Sequence, residues 1–218
     1  MDAQGNTTSR LAPSDDDGPV LSETRTAHLF RSDIQSITPL PCPRGIDLIG
    51  TPKNDPELSE IEVIPLDQAL VPRRHIEALA SQYDVILVDC PPSLGRKLVA
   101  ALAFSTHVVC PLKLSGFAVD GIEGLLNTIV GVREEYNPGL SIMGLLINDM
   151  DRSVNHDRSL KDLQESVPEL LFKTNIMHRP PLDSATTEGV PVWELRYGHV
   201  AAKEVIAAVE EIWEKAHD

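Results

Sequence analysis

Short apolar runs and helical spacings alternate through the second half of the chain. A continuous apolar run such as Val85–Val88 is typical of a strand buried on both faces of a parallel sheet. The same reasoning predicts strands at His107–Leu112, Ile142–Ile147 and Leu170–Thr174. Helices are expected at about residues 97–104, 119–136, 157–166 and 200–215. Because strands alternate with helices, the pattern predicts an α/β fold, a doubly wound and mostly parallel sheet with helices on both faces.

The first third of the chain is less regular. Residues 10–56 are rich in Ser, Thr, Asp and Pro and are expected to be mostly loop, with one short helix near Leu21–Phe30. A short strand is predicted at Gly45–Gly50. Leu66–Gln82 has a helical pattern that Pro72 interrupts, because proline lacks the N–H that a helix interior needs. We therefore expect short elements joined by loops here.

Length and composition fit one globular domain. At 218 residues, 42% of them hydrophobic, the chain is long enough to bury an α/β core without disulfides or a structural metal. We interpret residues 1–218 as a single domain. Lys and Arg number 19 and Asp and Glu 33, which gives a net charge of −14. This charge disfavours indiscriminate binding to nucleic acid but leaves room for a local basic patch.

Cysteine usage and hydropathy indicate the compartment. Cys42, Cys90 and Cys110 form an odd set without C-x-x-C spacing, which indicates reduced thiols. The chain has no apolar run of about 18 residues, and residues 2–10 are polar. Neither a membrane span nor a secretory signal is therefore expected. The sequence predicts a cytoplasmic protein that has no membrane partner.

The most informative chemistry follows the predicted strand at Val85–Val88. Asp89 lies at its carboxyl end, where open α/β sheets bind ligands, and Pro91-Pro92 come next. In nucleotide hydrolases a carboxylate at this place holds a magnesium ion that bridges phosphate oxygens. Its usual partner is a G-x-x-x-x-G-K-[ST] loop, which supplies backbone N–H donors and a lysine. The nearest fragment among these residues, Gly95-Arg96-Lys97, has neither the spacing nor the hydroxyl.

Separated segments of the chain match one known family in the same order. The first reads MDAQGNTTS at Met1–Ser9, and the second reads VILVDCPPSLG at Val85–Gly95. Three more follow at Val108–Leu126, Ile142–Ser153 and Phe172–Val192. They resemble the ParA family of plasmid and chromosome partitioning ATPases, relatives of the division-site protein MinD. The first resembles the family's D-x-D-x-Q-G-N-x-T segment and the second its magnesium strand and switch. The resemblance covers nearly the whole chain and implies a P-loop NTPase-like fold.

The resemblance also implies roles for single residues in binding ATP and magnesium. Asp2 matches the carboxylate that positions the attacking water, and Asp89 matches the carboxylate that holds magnesium through water. Gln4, Asn148 and Pro180 match positions on the nucleotide, and the Asn148 amide suits a purine edge. The residues alone leave alternatives open, since Asp2 also fits a terminal acid, Asp89 a helix N-cap and Asn148 a turn residue.

Partners follow from the same resemblance. In the family, ATP-bound homodimers hold DNA non-specifically through its phosphates, and a ParB-like centromere-binding protein stimulates hydrolysis. The resemblance therefore implies a nucleoid-associated homodimer, with Arg152, Arg158 and Lys161 as candidate DNA contacts. Solvated surface charge is the competing interpretation, because aspartates such as Asp151 and Asp157 dilute the patch.

One element of the family is not found in these residues. Its K-G-G-x-G-K-[ST] loop precedes the D-x-D-x-Q-G-N-x-T segment, which this sequence enters at Met1. Three explanations are open: Met1 is an internal methionine taken as the start, the gene has lost its front, or the chain works without ATPase activity. The first is favoured, because the missing strand is expected at the centre of the sheet and its loss would leave ladder groups unpaired. This explanation places the phosphate loop about 25 to 40 residues upstream of Met1 in the same reading frame.

The absent loop also bears on activity. We expect that these residues by themselves neither bind ATP tightly nor hydrolyse it, since Asp2 and Asp89 cannot replace N–H donors and a lysine. A different class of function is a non-catalytic regulator that binds ParB-like or ParA partners. A MinD-like positioning ATPase at the membrane is the third possibility, but Val200–Asp218 is acidic where an amphipathic anchor would be basic.

Overall fold

The computed structural model describes residues 1–114 and 118–217. They form two compact units, one made of residues 1–105 with 128–138 and the other of residues 106–127 with 139 onward. Residues 115–117, which belong to the family-like segment Val108–Leu126, lie outside the described residues, as does residue 218.

Helices occur throughout the described residues, and capping side chains or prolines define where several of them begin. Their bounds are α1 Asn6–Leu11, α2 Pro56–Glu60, α3 Leu66–Ala69, α4 Pro72–Leu79, α5 Arg96–Phe104, α6 Ala118–Glu135, α7 Val154–Ser166, α8 Pro180–Glu188 and α9 His199–His217. Before α7, the Ser153 hydroxyl accepts the His156 N–H at 3.3 Å. Pro72 begins α4, because the first helical position needs no N–H donor. The helices predicted after residue 96 are confirmed within a few residues.

Strands form three separate pairs within the described residues. They are β1 Ser14–Asp15 with β2 Gly18–Pro19, β3 Leu40–Cys42 with β4 Ile46–Leu48, and β5 His107–Lys113 with β6 Ser141–Asn148. The first two pairs are antiparallel, and β4 confirms the short strand predicted at Gly45–Gly50. The third pair is parallel, from His107 opposite Ser141 to Lys113 opposite Asn148.

The parallel pair carries the core of the second unit. Parallel neighbours need a crossover, and α6 comes between β5 and β6 in the chain. Met143 and Leu146 of β6 are buried with Phe172 and with Ala208 of α9. Gly144, with φ of 131°, lets the strand pass close to the Leu170 carbonyl, which a Cβ would meet at 2.1 Å. The α/β architecture with parallel strands covered by helices is confirmed.

The first unit has its own apolar core. Phe30, Leu58 and Ile61 are buried together with Ala101 of α5, and Met1 belongs to the same cluster. Phe30 comes from the predicted loop-rich stretch, where the chain forms a 3-10 turn instead of an α-helix. The irregular front of the chain is therefore a packed structure and supports the residues that follow it.

The prediction of a strand at Val85–Val88 is wrong. No strand within the described residues pairs with this segment, and the side chains of Val85, Ile86 and Leu87 are 51%, 38% and 91% exposed. A strand is held by the N–H and C=O groups of its neighbours, so an apolar run without a neighbour stays outside a sheet. An apolar run predicts burial, but it carries no information about the neighbouring strand that would bury it.

Two other segments also differ from the prediction. Leu170–Thr174 forms no strand: Pro168 begins a 3-10 turn, and only Leu171 makes a parallel bridge, to Leu145. The N–H groups of Lys173 and Thr174 donate to the Glu211 carboxylate at 2.8 and 2.9 Å, so they do not pair with a strand. No helix was predicted at Pro180–Glu188, yet the Pro180-Pro181 pair begins α8 there, since prolines fit the first turn of a helix.

Candidate functional site

The D-x-Q-G-N-like segment is fixed against the loop at residues 50–55. The Asp55 N–H donates to the Ala3 carbonyl at 2.9 Å, and the Thr51 N–H donates to the Thr8 hydroxyl at 2.7 Å. Gly5 has φ of 68°, and a Cβ there would lie 2.7 Å from the Thr51 carbonyl oxygen. Only glycine allows this approach without displacing the loop. The start of α1 is therefore held at three points.

This segment also contacts Asp89. The Thr7 hydroxyl donates to Oδ2 of Asp89, and the Met1 ammonium donates to the Asp89 backbone carbonyl. Burial lowers the pKa of the Met1 ammonium, and the nearby Asp89 and Asp2 oppose that shift. Met1 and Thr7 lie 88 and 82 positions from Asp89 in the sequence. The structure therefore brings the segment that contains Asp2 against Asp89.

Asp2 and Gln4 are ordered by local bonds. Oδ1 of Asp2 accepts the Gln4 N–H at 3.0 Å, and Oε1 of Gln4 accepts the Asn6 amide at 3.0 Å. The Gly5 N–H donates to the Asp2 carbonyl at 3.4 Å. The side chains of Gln4 and Asn6 are exposed, so this turn presents polar groups at the start of α1.

A buried ion pair lies where the segment after Asp89 enters α5. Oε2 of Glu62 accepts the Arg96 N–H at 2.6 Å, in the first turn of that helix. Oε1 lies 3.2 Å from Nζ of Lys97 without the angle of a hydrogen bond, so this contact is an ion pair. Two cations at a helix N-terminus are unfavourable, and the Glu62 carboxylate offsets them. Lys97 is therefore held by Glu62 and is 7% exposed.

The second unit holds the residues expected on the base side. Asn148 is exposed at the carboxyl end of β6. The next residue, Asp149, has φ of 57° and accepts bonds from Nζ of Lys113 and, at 2.6 Å, from Nδ1 of His178. Lys113 first and His178 second hold the pKa of the Asp149 carboxyl below its usual range. The edge next to Asn148 is thus a charged cluster, which sequence reasoning did not foresee.

Pro180 is exposed at the start of α8, beside an ion pair. Nε of Arg179 lies 3.0 Å from Oε2 of Glu204, and this contact lowers the pKa of the Glu204 carboxyl. A cavity of about 220 Å³ lies near these groups, and its lining residues are Met150, Asp151, Arg152, Met177, His178 and Arg179. The described part of the second unit therefore has a polar hollow beside Pro180 and the Arg152 loop.

The three candidate DNA contacts are exposed in the second unit. Arg158 and Lys161 lie three positions apart on α7, which puts them on one face of the helix. Lys161 pairs loosely with Glu165 at 3.8 Å, and Arg152 lines the cavity. An exposed pair of this kind contributes little to stability, so Lys161 remains open to an anionic partner.

The groups at Asp89 fit a magnesium ion. Magnesium prefers oxygen ligands and is usually held by one or two carboxylates together with water and phosphate. Asp89 is an exposed carboxylate, and its Oδ2 accepts the Thr7 hydroxyl. Because the residue is exposed, its carboxylate is accessible to a hydrated ion.

The same residues do not fit the phosphates of ATP. A phosphate cradle needs backbone N–H groups that point at the ligand. The N–H groups of Gln4 and Gly5 are already used by Asp2, and Lys97 is paired with Glu62. The first unit thus offers the metal side of a nucleotide site but no phosphate cradle among these groups.

Sequence reasoning missed Thr7, Glu62 and Lys113. Thr7 occupies the variable position of the family-like segment, so no motif marked it. Glu62 acts on a helix 34 positions away, and Lys113 on a loop 36 positions away. Only Lys113 had a usable signal, since a charged residue that ends an apolar strand is expected at the ligand edge of a parallel sheet.

Comparison with known proteins identifies relatives of this chain. An AAA domain family model matches residues 1–142. The chromosome partitioning protein ParA of Myxococcus xanthus is 32% identical over 88% of this chain and 68% of its own length. Protein IncC of Escherichia coli is 32% identical over 75% of this chain and 46% of its own, so the match spans about half of IncC. The sporulation initiation inhibitor Soj of Bacillus subtilis is 29% identical over 88% of this chain and 76% of its own.

Solved structures with low sequence identity share the fold. McdA of Cyanothece superposes with a TM-score of 0.77 at 18% identity, over 97% of this chain and 84% of its own. Cobyrinic acid a,c-diamide synthase of Mycobacterium smegmatis, solved with an ATP analogue and magnesium, gives 0.65 at 22% identity over 88% and 73%. The solved structures show the fold, and the family model and the ParA relative show the family. The chain belongs to the ParA family of partitioning ATPases.

Proposed function

We propose that this chain acts in DNA segregation as a ParA-type partitioning protein, with residues 1–218 as one ATPase domain. The observation that carries the proposal is the meeting of the Asp2 segment with Asp89 through Thr7 and Met1. By resemblance, Asp2 and Asp89 match the carboxylates expected at the attacking water and at the metal. The fold brings their two segments into contact, although Thr7 and Asp89 lie 82 positions apart in the sequence.

Asp89 would hold magnesium through water, and Asp2 would position the attacking water. When bound, magnesium neutralises charge on the phosphate oxygens. Gln4 contacts the nucleotide from the turn that Asp2 orders. In the second unit, Asn148 and Pro180 contact the base, and the exposure of both side chains supports this role.

ATP-dependent homodimer formation, non-specific DNA binding and stimulation by a ParB-like partner complete the proposal. Arg158 and Lys161 supply phosphate contacts from one face of α7. Arg158→Glu with Lys161→Glu should therefore weaken DNA binding, and the remaining affinity should depend less on salt. Lys203→Glu, on the exposed face of α9, is the control and should leave binding unchanged. Equal effects of the two changes would contradict a specific α7 surface.

The metal role is tested by NMR with Mn²⁺ as the probe. Mn²⁺ broadens the signals of amides near its binding site, so weak binding is enough for detection. We expect the amides of Thr8 and Cys90 to broaden in the wild type and in Asp84→Asn, and to stay sharp in Asp89→Asn. Asp84 is an exposed acid five positions before Asp89 and controls for general attraction to an acidic protein. Broadening that survives Asp89→Asn would contradict the proposed metal role.

ATP turnover tests the phosphate side. The polypeptide of 218 residues contains no K-G-G-x-G-K-[ST] sequence, and the N–H groups of Gln4 and Gly5 already donate to Asp2. We predict weak ATP binding and no magnesium-dependent turnover by this polypeptide. Turnover that Asp89→Ala abolishes would overturn the prediction.

A non-catalytic regulator is the second candidate, favoured by the pairing of Lys97 with Glu62. A regulator folds, ignores ATP and still binds a ParB-type protein. Circular dichroism, calorimetry with ATP and a binding assay with the partner therefore separate the two functions. A folded protein that does not bind the ParB-type partner would exclude the regulator.

A further inference from the structure

We propose that Thr7 is the residue that positions the Asp89 carboxylate for its metal. This inference rests on the proposed metal role of Asp89. The Thr7 hydroxyl donates to Oδ2, which fixes one oxygen of an exposed carboxylate. A side chain held in this way presents its other oxygen in one direction, whereas an unbound carboxylate samples several.

The backbone around Thr7 is fixed independently of Asp89. The next residue, Thr8, is 4% exposed, and its hydroxyl accepts the Thr51 N–H at 2.7 Å. Two positions before Thr7, Gly5 lies so close to the Thr51 and Pro52 carbonyls that a Cβ would meet them at 2.7 and 2.8 Å. Thr7 therefore lies between two anchored residues, and α1 cannot rotate without breaking both anchors.

The anchor itself is part of a buried hydroxyl network. The Thr51 hydroxyl donates to that of Thr26 at 2.9 Å, and Thr26 donates to the Gly50 carbonyl at 3.2 Å. The Ser22 hydroxyl accepts the Gly50 N–H at 3.0 Å. Satisfied buried networks are rigid, because every broken bond leaves a polar group without a partner. The loop-rich front of the chain thus fixes the backbone that carries Thr7.

Thr7 acts only through Asp89, so it is a positioning residue. Removing a group that orients a metal ligand typically lowers metal affinity about 10- to 100-fold. Thr7→Val removes the hydroxyl and keeps the shape of the side chain, whereas Thr7→Ser keeps the hydroxyl. Ser9 on the same helix donates to the Gly5 carbonyl at 3.0 Å and not to Asp89, so Ser9→Ala is a matched control.

The test is the Mn²⁺ titration followed at the amides of Thr8 and Cys90. We expect wild type, Thr7→Ser and Ser9→Ala to titrate together, and Thr7→Val to need about tenfold more Mn²⁺. Amide spectra recorded before the titration show whether each variant is folded, and Thr7→Ala replaces the valine variant if that one is not. If the folded variant without the hydroxyl titrates like the wild type, Thr7 has no positioning role. If Asp89→Asn also titrates like the wild type, the metal role itself fails, so the two failures are distinguishable.

A double-mutant cycle provides a second measurement that needs no metal. Thr7→Val, Asp89→Asn and their combination are unfolded in urea. Because the two side chains bond to each other, we expect the combined effect to be smaller than the sum of the single effects. Additive effects in folded proteins would show that the bond does not hold Asp89 and would overturn the proposal.

Discussion

Glu62→Gln should destabilise the first unit strongly. The change keeps an oxygen that can accept the Arg96 N–H but removes the charge opposite Lys97. The Lys97 side chain is only 7% exposed, so its ammonium would remain buried without a counter-charge. Breaking a buried pair costs about 3–5 kcal/mol. Because Glu62 is 29% exposed, we expect the low end of that range, about 3 kcal/mol.

Urea unfolding followed by circular dichroism measures this effect. With a slope of about 2–3 kcal/mol per molar urea, the midpoint should fall by about 1 M. Glu57→Gln is the matched control, because Glu57 is 56% exposed in its pair with Arg25. An exposed pair contributes about 0–1 kcal/mol, so that midpoint should hardly move.

A third variant separates charge from packing. Glu62→Gln combined with Lys97→Met removes both charges and keeps the length of both side chains. Replacing a buried pair by neutral groups is often close to neutral, so most of the lost stability should return. The reasoning is refuted if Glu62→Gln shifts the midpoint no more than Glu57→Gln, or if the double variant is less stable than Glu62→Gln.

Two further predictions concern backbone and charge. Gly144→Ala should destabilise the protein by more than about 2 kcal/mol, since its Cβ would meet the Leu170 carbonyl oxygen at 2.1 Å. A Cβ at Gly131 in α6 would meet open space, so Gly131→Ala should stabilise the protein by about 0.5–1 kcal/mol. Thermal unfolding in which the two variants change the stability in the same direction would contradict this. Arg179 lowers the pKa of the Glu204 carboxyl in the folded protein. The pair therefore stabilises the protein above the pKa of an unfolded glutamate, about 4.3. This stabilisation is lost as the pH falls through the lower pKa of the folded state. Glu204→Gln should therefore flatten the loss of stability below about pH 5 in acid unfolding, and an unchanged slope would disprove the linkage.

Elements with a local pattern were predictable. β5, β6, α5 and α9 each contain enough apolar residues at one spacing to define type and approximate bounds. The run at Val85–Val88 shows the limit of such patterns, because a strand depends on a neighbour that its own residues do not specify. Local sequence therefore predicted the α/β class but not which apolar segments pair.

The candidate site was predictable where a motif spans several residues. Asp2 and Asp89 were found from such runs, and the segment that contains Asp2 contacts Asp89 through Thr7. Thr7 and Glu62 were not found, because each acts through one contact with a residue far away in the sequence. A single hydroxyl or carboxylate has no periodicity and no spacing, so its partner becomes visible only in three dimensions.

DNA loss in growing cells tests the central claim most directly. The gene is replaced in its own host by versions that carry Asp89→Ala or Asp84→Ala, and the frequency of cells that lose the segregated plasmid or chromosome is counted. The account predicts that Asp89→Ala loses DNA at the rate of a deletion strain, whereas Asp84→Ala, an exposed acid nearby, behaves like the wild type. Wild-type segregation with Asp89→Ala would contradict the claim that this carboxylate serves a partitioning ATPase.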